Sequence, residues 1–168
     1  MLSKQQRRQI LMMGCLRDDT EFTKEEQLTY IKKGLKADID EKILEKLFLS
    51  AVPGVRKYGI LEYFLYYHNL MIMGLEKNIK NKERLEWCTV YPAQVVGKSD
   101  SKYIVKRIDD KTLETDSEAY PDIKVLNKNK IVANSYVILH RDKIRLILNE
   151  KEFETALRFY NKFKKEKH

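Results

Sequence analysis

Two cysteines and three histidines are the soft and proton-carrying side chains of this 168-residue chain. Cys88 opens the segment Cys88-Thr89-Val90-Tyr91-Pro92-Ala93-Gln94-Val95. A thiol at the start of a strand could be a soft metal ligand. It could also be a small buried apolar residue, as free cysteine commonly is, and composition alone favours that. His140 could approach Cys88 across a barrel and form a Cys–His pair for nucleophilic catalysis. The sequence shows no oxyanion hole and no third group to orient such a pair. His68 reads as a ligand or proton carrier, or as a core histidine with a satisfied hydrogen bond, which its helix position favours.

Three further groups carry weaker signals. Tyr63, Tyr66 and Tyr67 could stack on bases, as aromatics do in single-strand binders, but their helical spacing points to a core or a domain interface. Asp109, Asp110, Glu114, Asp116, Glu118 and Asp122 could surround a divalent cation. They lack the glycine and terminal glutamate of a calcium-binding EF-hand loop, so a solvated hairpin loop is expected over 109–122. Cys15 and Cys88 form neither a CxxC pair nor a disulfide framework. A closed zinc site from Cys and His alone would need nearly every one present. The chain has no phosphate-binding P-loop, dinucleotide glycine fingerprint, HExxH helix or GxSxG elbow.

The elements that must position these residues are legible from spacing. Ser3 is a plausible N-cap for a helix containing Ile10, Leu11 and Met13. Asp18-Asp19-Thr20 reads as a turn. Thr23 and Glu26 have capping-box spacing ahead of Leu28, Ile31 and Leu35. A third helix after Asp38-Ile39-Asp40 turns Ile43, Leu44, Leu47 and Phe48 inward, and Pro53-Gly54 is expected to stop it. Apolar residues then recur at three and four over 58–75, with His68 in the pattern. A helix apolar nearly all round is the expected centre of a small bundle.

After a charged connector over 77–84 the period shortens. Strand candidates are 87–96, Tyr103-Ile104-Val105, Ile123-Lys124-Val125, Ile131-Val132, Tyr136-Val137-Ile138-Leu139 and Ile144-Arg145-Leu146-Ile147. His140-Arg141-Asp142-Lys143 is the expected turn between the last two. Asn149 caps a final helix carrying Phe153, Leu157, Tyr160 and Phe163, with a frayed tail over 164–168. So many short strands cannot bury two faces as an open sheet, and closure into a barrel would remove the edges. The expected fold is α+β: a helical domain over 1–83, then a small antiparallel β-barrel of the oligonucleotide-binding or HypC-like kind over 86–168 with a C-terminal helix.

Composition bounds the rest. The chain is shorter than the roughly 250 residues of a TIM barrel, and 43% hydrophobic residues exceed what a disordered chain carries. The net charge of +8 invites a nucleic-acid partner. It is spread evenly, with 16 Lys and Arg against 12 Asp and Glu over 1–85 and 17 against 13 over 86–168. A lysine-rich solvated surface accounts for that. No signal peptide follows Met1. Glu62, His68 and Asn69 interrupt the most apolar stretch, which falls short of the roughly 20 apolar residues of a membrane span. A reducing, cytoplasmic setting and no membrane partner are expected.

The segment from Cys88 onward resembles the small-barrel chaperones of nickel–iron hydrogenase maturation, the HypC/HupF family. Cys88, Pro92 and Val95 match its C-x-x-x-P-x-x-V first strand. Val137 and His140 match V-x-x-H, followed by an aliphatic strand with Ile147 and Leu148 and a helix opened by Glu150. The overlap covers about the second half of the chain. In the family the cysteine directly follows the initiator methionine, whereas here Trp87 and a helical region precede it. The resemblance implies a non-catalytic binding protein in which Cys88 and His140 handle an iron centre with diatomic ligands. Its implied partners are a hydrogenase large-subunit precursor or a maturation scaffold as protein client. A nucleic-acid-binding protein with an oligonucleotide-type barrel is the alternative, and an enzyme using Cys88 and His140 a third reading.

Overall fold

Short-range capping chemistry starts the helices. Ser3 accepts from the Gln6 amide at 3.1 Å while its own N–H donates to Gln6 Oε1 at 2.9 Å, opening α1 (Lys4–Met13). Thr23 and Glu26 form the same reciprocal box ahead of α2 (Lys24–Lys36). Asp40 caps α3 (Glu41–Leu47) through the Lys42 amide. The computed structural model describes residues 1–76, 86–116, 118–120, 123–124 and 131–166.

Pro53 and Gly54 do not stop a helix as expected. They lie within α4 (Ala51–Tyr58), near its start. There the missing proline N–H costs nothing, because the first amides of a helix have no partner within it. Gly59, at φ +80°, breaks the chain before α5. Helix α5 spans 60–76 and is α-helical at Ile60–Glu62 and Asn69–Glu76, but π-helical over Tyr63–His68. Four consecutive residues, Tyr63, Phe64, Leu65 and Tyr66, are all buried here. Neighbours pack on more than one side of this segment, as expected for a helix apolar nearly all round. Tyr63 and Tyr66 are core residues, and Tyr67 stacks on Tyr58 at 3.8 Å.

Strands β1 (Val90–Ser99), β2 (Lys102–Arg107), β3 (Thr112–Thr115), β4 (Glu118–Tyr120), β5 (Ile123–Lys124), β6 (Tyr136–His140) and β7 (Lys143–Leu148) follow. Five form one antiparallel sheet in the order β3-β2-β1-β6-β7, and β4 pairs with β5. The fold class is α+β. Among the described residues β3 and β7 share no strand ladder, so the sheet is open. It nevertheless curls. The Ile144 amide donates to Asp116 O at 3.3 Å, Thr115 donates to Asp142 O, and Lys143 pairs with Asp116 at 2.6 Å. These contacts set the end of β3 on the start of β7.

The acidic segment is not one loop. Asp109 and Asp110 occupy the β2–β3 turn, Thr112–Thr115 is strand, and Asp122 lies outside the described residues. Three of its carboxylates are matched by basic side chains: Asp109 by Arg107, Asp110 by Lys106 and Asp116 by Lys143. Ile131-Val132 is not a strand; Ile131 is buried and Val132 exposed. Val125 and the domain boundary at 83–86, except Glu86, fall outside the described residues. Asn149 caps α6 (Glu150–Glu166) in a reciprocal box with Glu152, and the helix runs through most of the expected frayed tail. Helix α6 packs on α5 and on β1, and α1 packs on β7. One hydrophobic core therefore runs from Ile10 and Leu11 through Leu65 to Val137, Ile144 and Tyr160.

Candidate functional site

Helix α1 ends against the sheet, and its end builds one wall of a cavity. The last carbonyls of a helix have no partner inside it. Here two of them are taken by the sheet: Arg145 Nη1 donates to Met12 O at 3.2 Å, and His140 Nδ1 lies 2.7 Å from Met13 O. Arg145 also donates through Nε to His140 O at 3.1 Å. Gly14 follows, and a Cβ there would run into the Phe48 ring. Only glycine lets the chain pass Phe48 and deliver Cys15 to the cavity.

The Met13 carbonyl accepts only from a protonated nitrogen, so His140 carries its proton on Nδ1 and leaves the Nε2 lone pair free. Cys15 Sγ stands 3.6 Å from Nε2 and 3.8 Å from Nδ1. Near-equal distances put the sulfur beside the ring rather than on the Nε2 lone-pair axis. The His68 ring meets His140 edge-on at 5.2 Å, and His68 Nδ1 is buried with no hydrogen-bond partner. The expected core histidine is therefore not satisfied at that nitrogen.

Arg141 and Asp142 make the tight β6–β7 turn, both in the left-handed region at φ +53° and +56°, as two-residue hairpins require. His140 itself ends β6 rather than joining the turn. The turn swings the Arg141 guanidinium over the Trp87 ring at 4.5 Å, with Nη2 3.9 Å from Cys88 Sγ. Arg141 Nε is buried without a partner.

These groups line one cavity of about 340 Å³. Cys15, Cys88, His68 and His140 all face it, so the structure brings Cys88 and His140 to one space. Its helical wall is apolar, with Phe48, Tyr63, Phe64, Met71 and Ile72 among its residues. Among the described residues no acidic side chain lines it. Burial holds the His68 imidazole down to about 4, against the raising effect of the Asn69 side chain and with Arg141 adding a smaller lowering. Burial, then His68 and Arg145, hold His140 well below the ordinary histidine range. Burial raises the Cys15 thiol, against the opposing pull of Arg141 and Arg145. At neutral pH the cavity therefore presents two neutral imidazoles, a protonated Cys15 thiol and a cationic Arg141. Among the described residues no three Cys, His, Asp or Glu converge as a preformed metal cage.

Cys15 and Arg141 were not singled out by sequence. Cys15 is 125 residues from His140, and only tertiary packing joins them. No protein-family model, curated protein or solved structure matches the chain. Among the described residues no helix is long and apolar enough to cross a membrane. What fold and site define is an α+β protein with a thiol- and imidazole-lined cavity between a helical wall and a curled sheet.

Proposed function

We propose that the chain is a non-catalytic binding protein of the metallocentre-chaperone type. Its cavity holds a soft metal fragment, with Cys88 as thiolate ligand and His140 as second ligand or proton acceptor. One observation carries the reading: Cys88 and His140, 52 positions apart, line the same cavity with Cys15 and His68. Thiols and a neutral imidazole with a free Nε2 suit soft or borderline metals. The Met13 carbonyl orients His140 as outer-shell carbonyls orient metal-bound histidines. The curl of the sheet supports a small barrel of the HypC-like kind. In this reading the cargo is an iron fragment. The client is a hydrogenase large subunit or a maturation scaffold, recognised by the helical half.

The nucleic-acid alternative rests on net charge. Burial of Tyr63 and Tyr66 removes two of the three aromatic platforms it would use.

Anaerobic loading with Fe(II), followed by desalting and metal analysis, tests the reading. The wild-type chain is expected to retain iron, and Cys88→Ala to lose it with an unchanged circular dichroism spectrum. Wild-type iron at background, or a Cys88→Ala chain that unfolds, would make the cysteine a core residue. An anaerobic pull-down from the native host should recover the client with wild type and not with Cys88→Ala.

A further inference from the structure

Among the described residues, the cavity walls leave one of their own charges unanswered. Arg17, also at its edge, is matched by Asp19. Arg141 has no carboxylate within ion-pair distance among the described residues, and its Nη2 stands 3.9 Å from the Cys88 sulfur. Its Nε and the Nδ1 of His68 are both buried and unpartnered. Buried polar groups are nearly always paired, so two unpaired ones lining one cavity call for a ligand that pairs with them. Among the described residues a bare cation would meet Arg141 with no acidic side chain to offset it. An anion would gain a charge-assisted hydrogen bond in a half-open, largely apolar pocket.

The opposite wall supplies the rest of the specificity. Phe48, Tyr63, Phe64, Met71 and Ile72 offer apolar surface, and about 340 Å³ is room for a small molecule. We infer that the cavity binds a small organic monocarboxylate, its carboxylate on Arg141 and a branched or aromatic body against the helical wall. His68 Nδ1 then either donates to the second carboxylate oxygen or accepts from a ligand hydroxyl, according to its tautomer. It shares the cavity with the proposed metal site, and its test uses the metal-free chain, so either reading can fail without the other.

The chain's single tryptophan lies under Arg141 and reports on it directly. The experiment titrates 4-methylpentanoate and the neutral isostere 4-methylpentanamide, following Trp87 fluorescence and thermal stability. The acid is expected to give a saturable fluorescence change and a rise in Tm. The amide should bind at least about tenfold more weakly, as loss of a charge-assisted hydrogen bond predicts. Arg141→Gln should weaken the acid similarly and Arg141→Lys less. Amide binding equal to acid binding, an unchanged affinity in Arg141→Gln, or no saturable change with the acid would each overturn the inference.

Discussion

Replacing Asn69 by Ala is expected to lower the unfolding free energy by about 3 kcal/mol or more, in the range for stranding two or three buried backbone groups. Asn69 is 1% exposed and sits just beyond the π-helical segment. Its Nδ2 donates to Leu65 O at 3.1 Å and to Val90 O at 2.9 Å, and its Oδ1 accepts from the Val90 amide at 2.8 Å. Val90, fully buried, begins β1 and is opposite His140 on β6. The β2 ladder reaches β1 only at Ala93. Asn69 therefore does for Val90 what a third strand would do. Alanine would leave the Val90 N–H and C=O without partners in a dry interior. Urea unfolding of both chains measures the difference. A loss below about 1 kcal/mol, an ordinary single hydrogen bond, would contradict this account of the helix–strand clamp. Because Cys88 and Trp87 immediately precede β1, the variant should also loosen the cavity wall that carries them.

Stability should fall steeply between pH 6.5 and about pH 4. His68 is held down to about 4 and His140 well below its ordinary value of 6.5, so both stay neutral in the fold. Above 6.5 the folded and unfolded chains bind the same number of protons at these sites, and their contribution is complete. Below 6.5 the unfolded chain takes up protons first, which favours unfolding. Each histidine then costs about 1.4 kcal/mol per pH unit, so the pair costs roughly 2.8. The share of His68 ends near pH 4, where its folded form protonates, and that of His140 continues lower. Paired carboxylates with lowered values, such as Asp38 at about 2, act on the acid side of this window. Their contribution is present above the unfolded carboxylate value and lost as pH falls through the folded one. Denaturant unfolding at pH 7, 6 and 5 checks the slope, and His68→Gln should remove about half of it. A flat profile from pH 7 to 5 would mean that neither ring is buried neutral.

Local chemistry was legible and long-range chemistry was not. The caps at Ser3, Thr23 and Asn149 follow from side chains that reach two or three residues, and each lies where spacing placed it. The strand pairs on either side of Arg141-Asp142 were readable for the same reason. Pro53-Gly54 misled because proline tolerates the start of a helix as readily as it ends one. The π-helical turn of α5 went unread because a shift from 3.6 residues per turn has no compositional signature. At the site, Cys88 and His140 were visible as residue types. Cys15, Asn69 and Arg141 gained their roles only when α1, α5 and the β6–β7 turn met.

The central claim is that both thiols line one ligand-sized cavity. Dibromobimane tests it most directly, because its fluorescence appears only after both arms have alkylated sulfur. One equivalent, added to the reduced, folded chain, is expected to give a fluorescent monomer in which peptides containing Cys15 and Cys88 are joined. Cross-linking should be lost in Cys15→Ser and in Cys88→Ser. Separately labelled cysteines with no intramolecular bridge would place the two thiols in different surroundings and contradict the account.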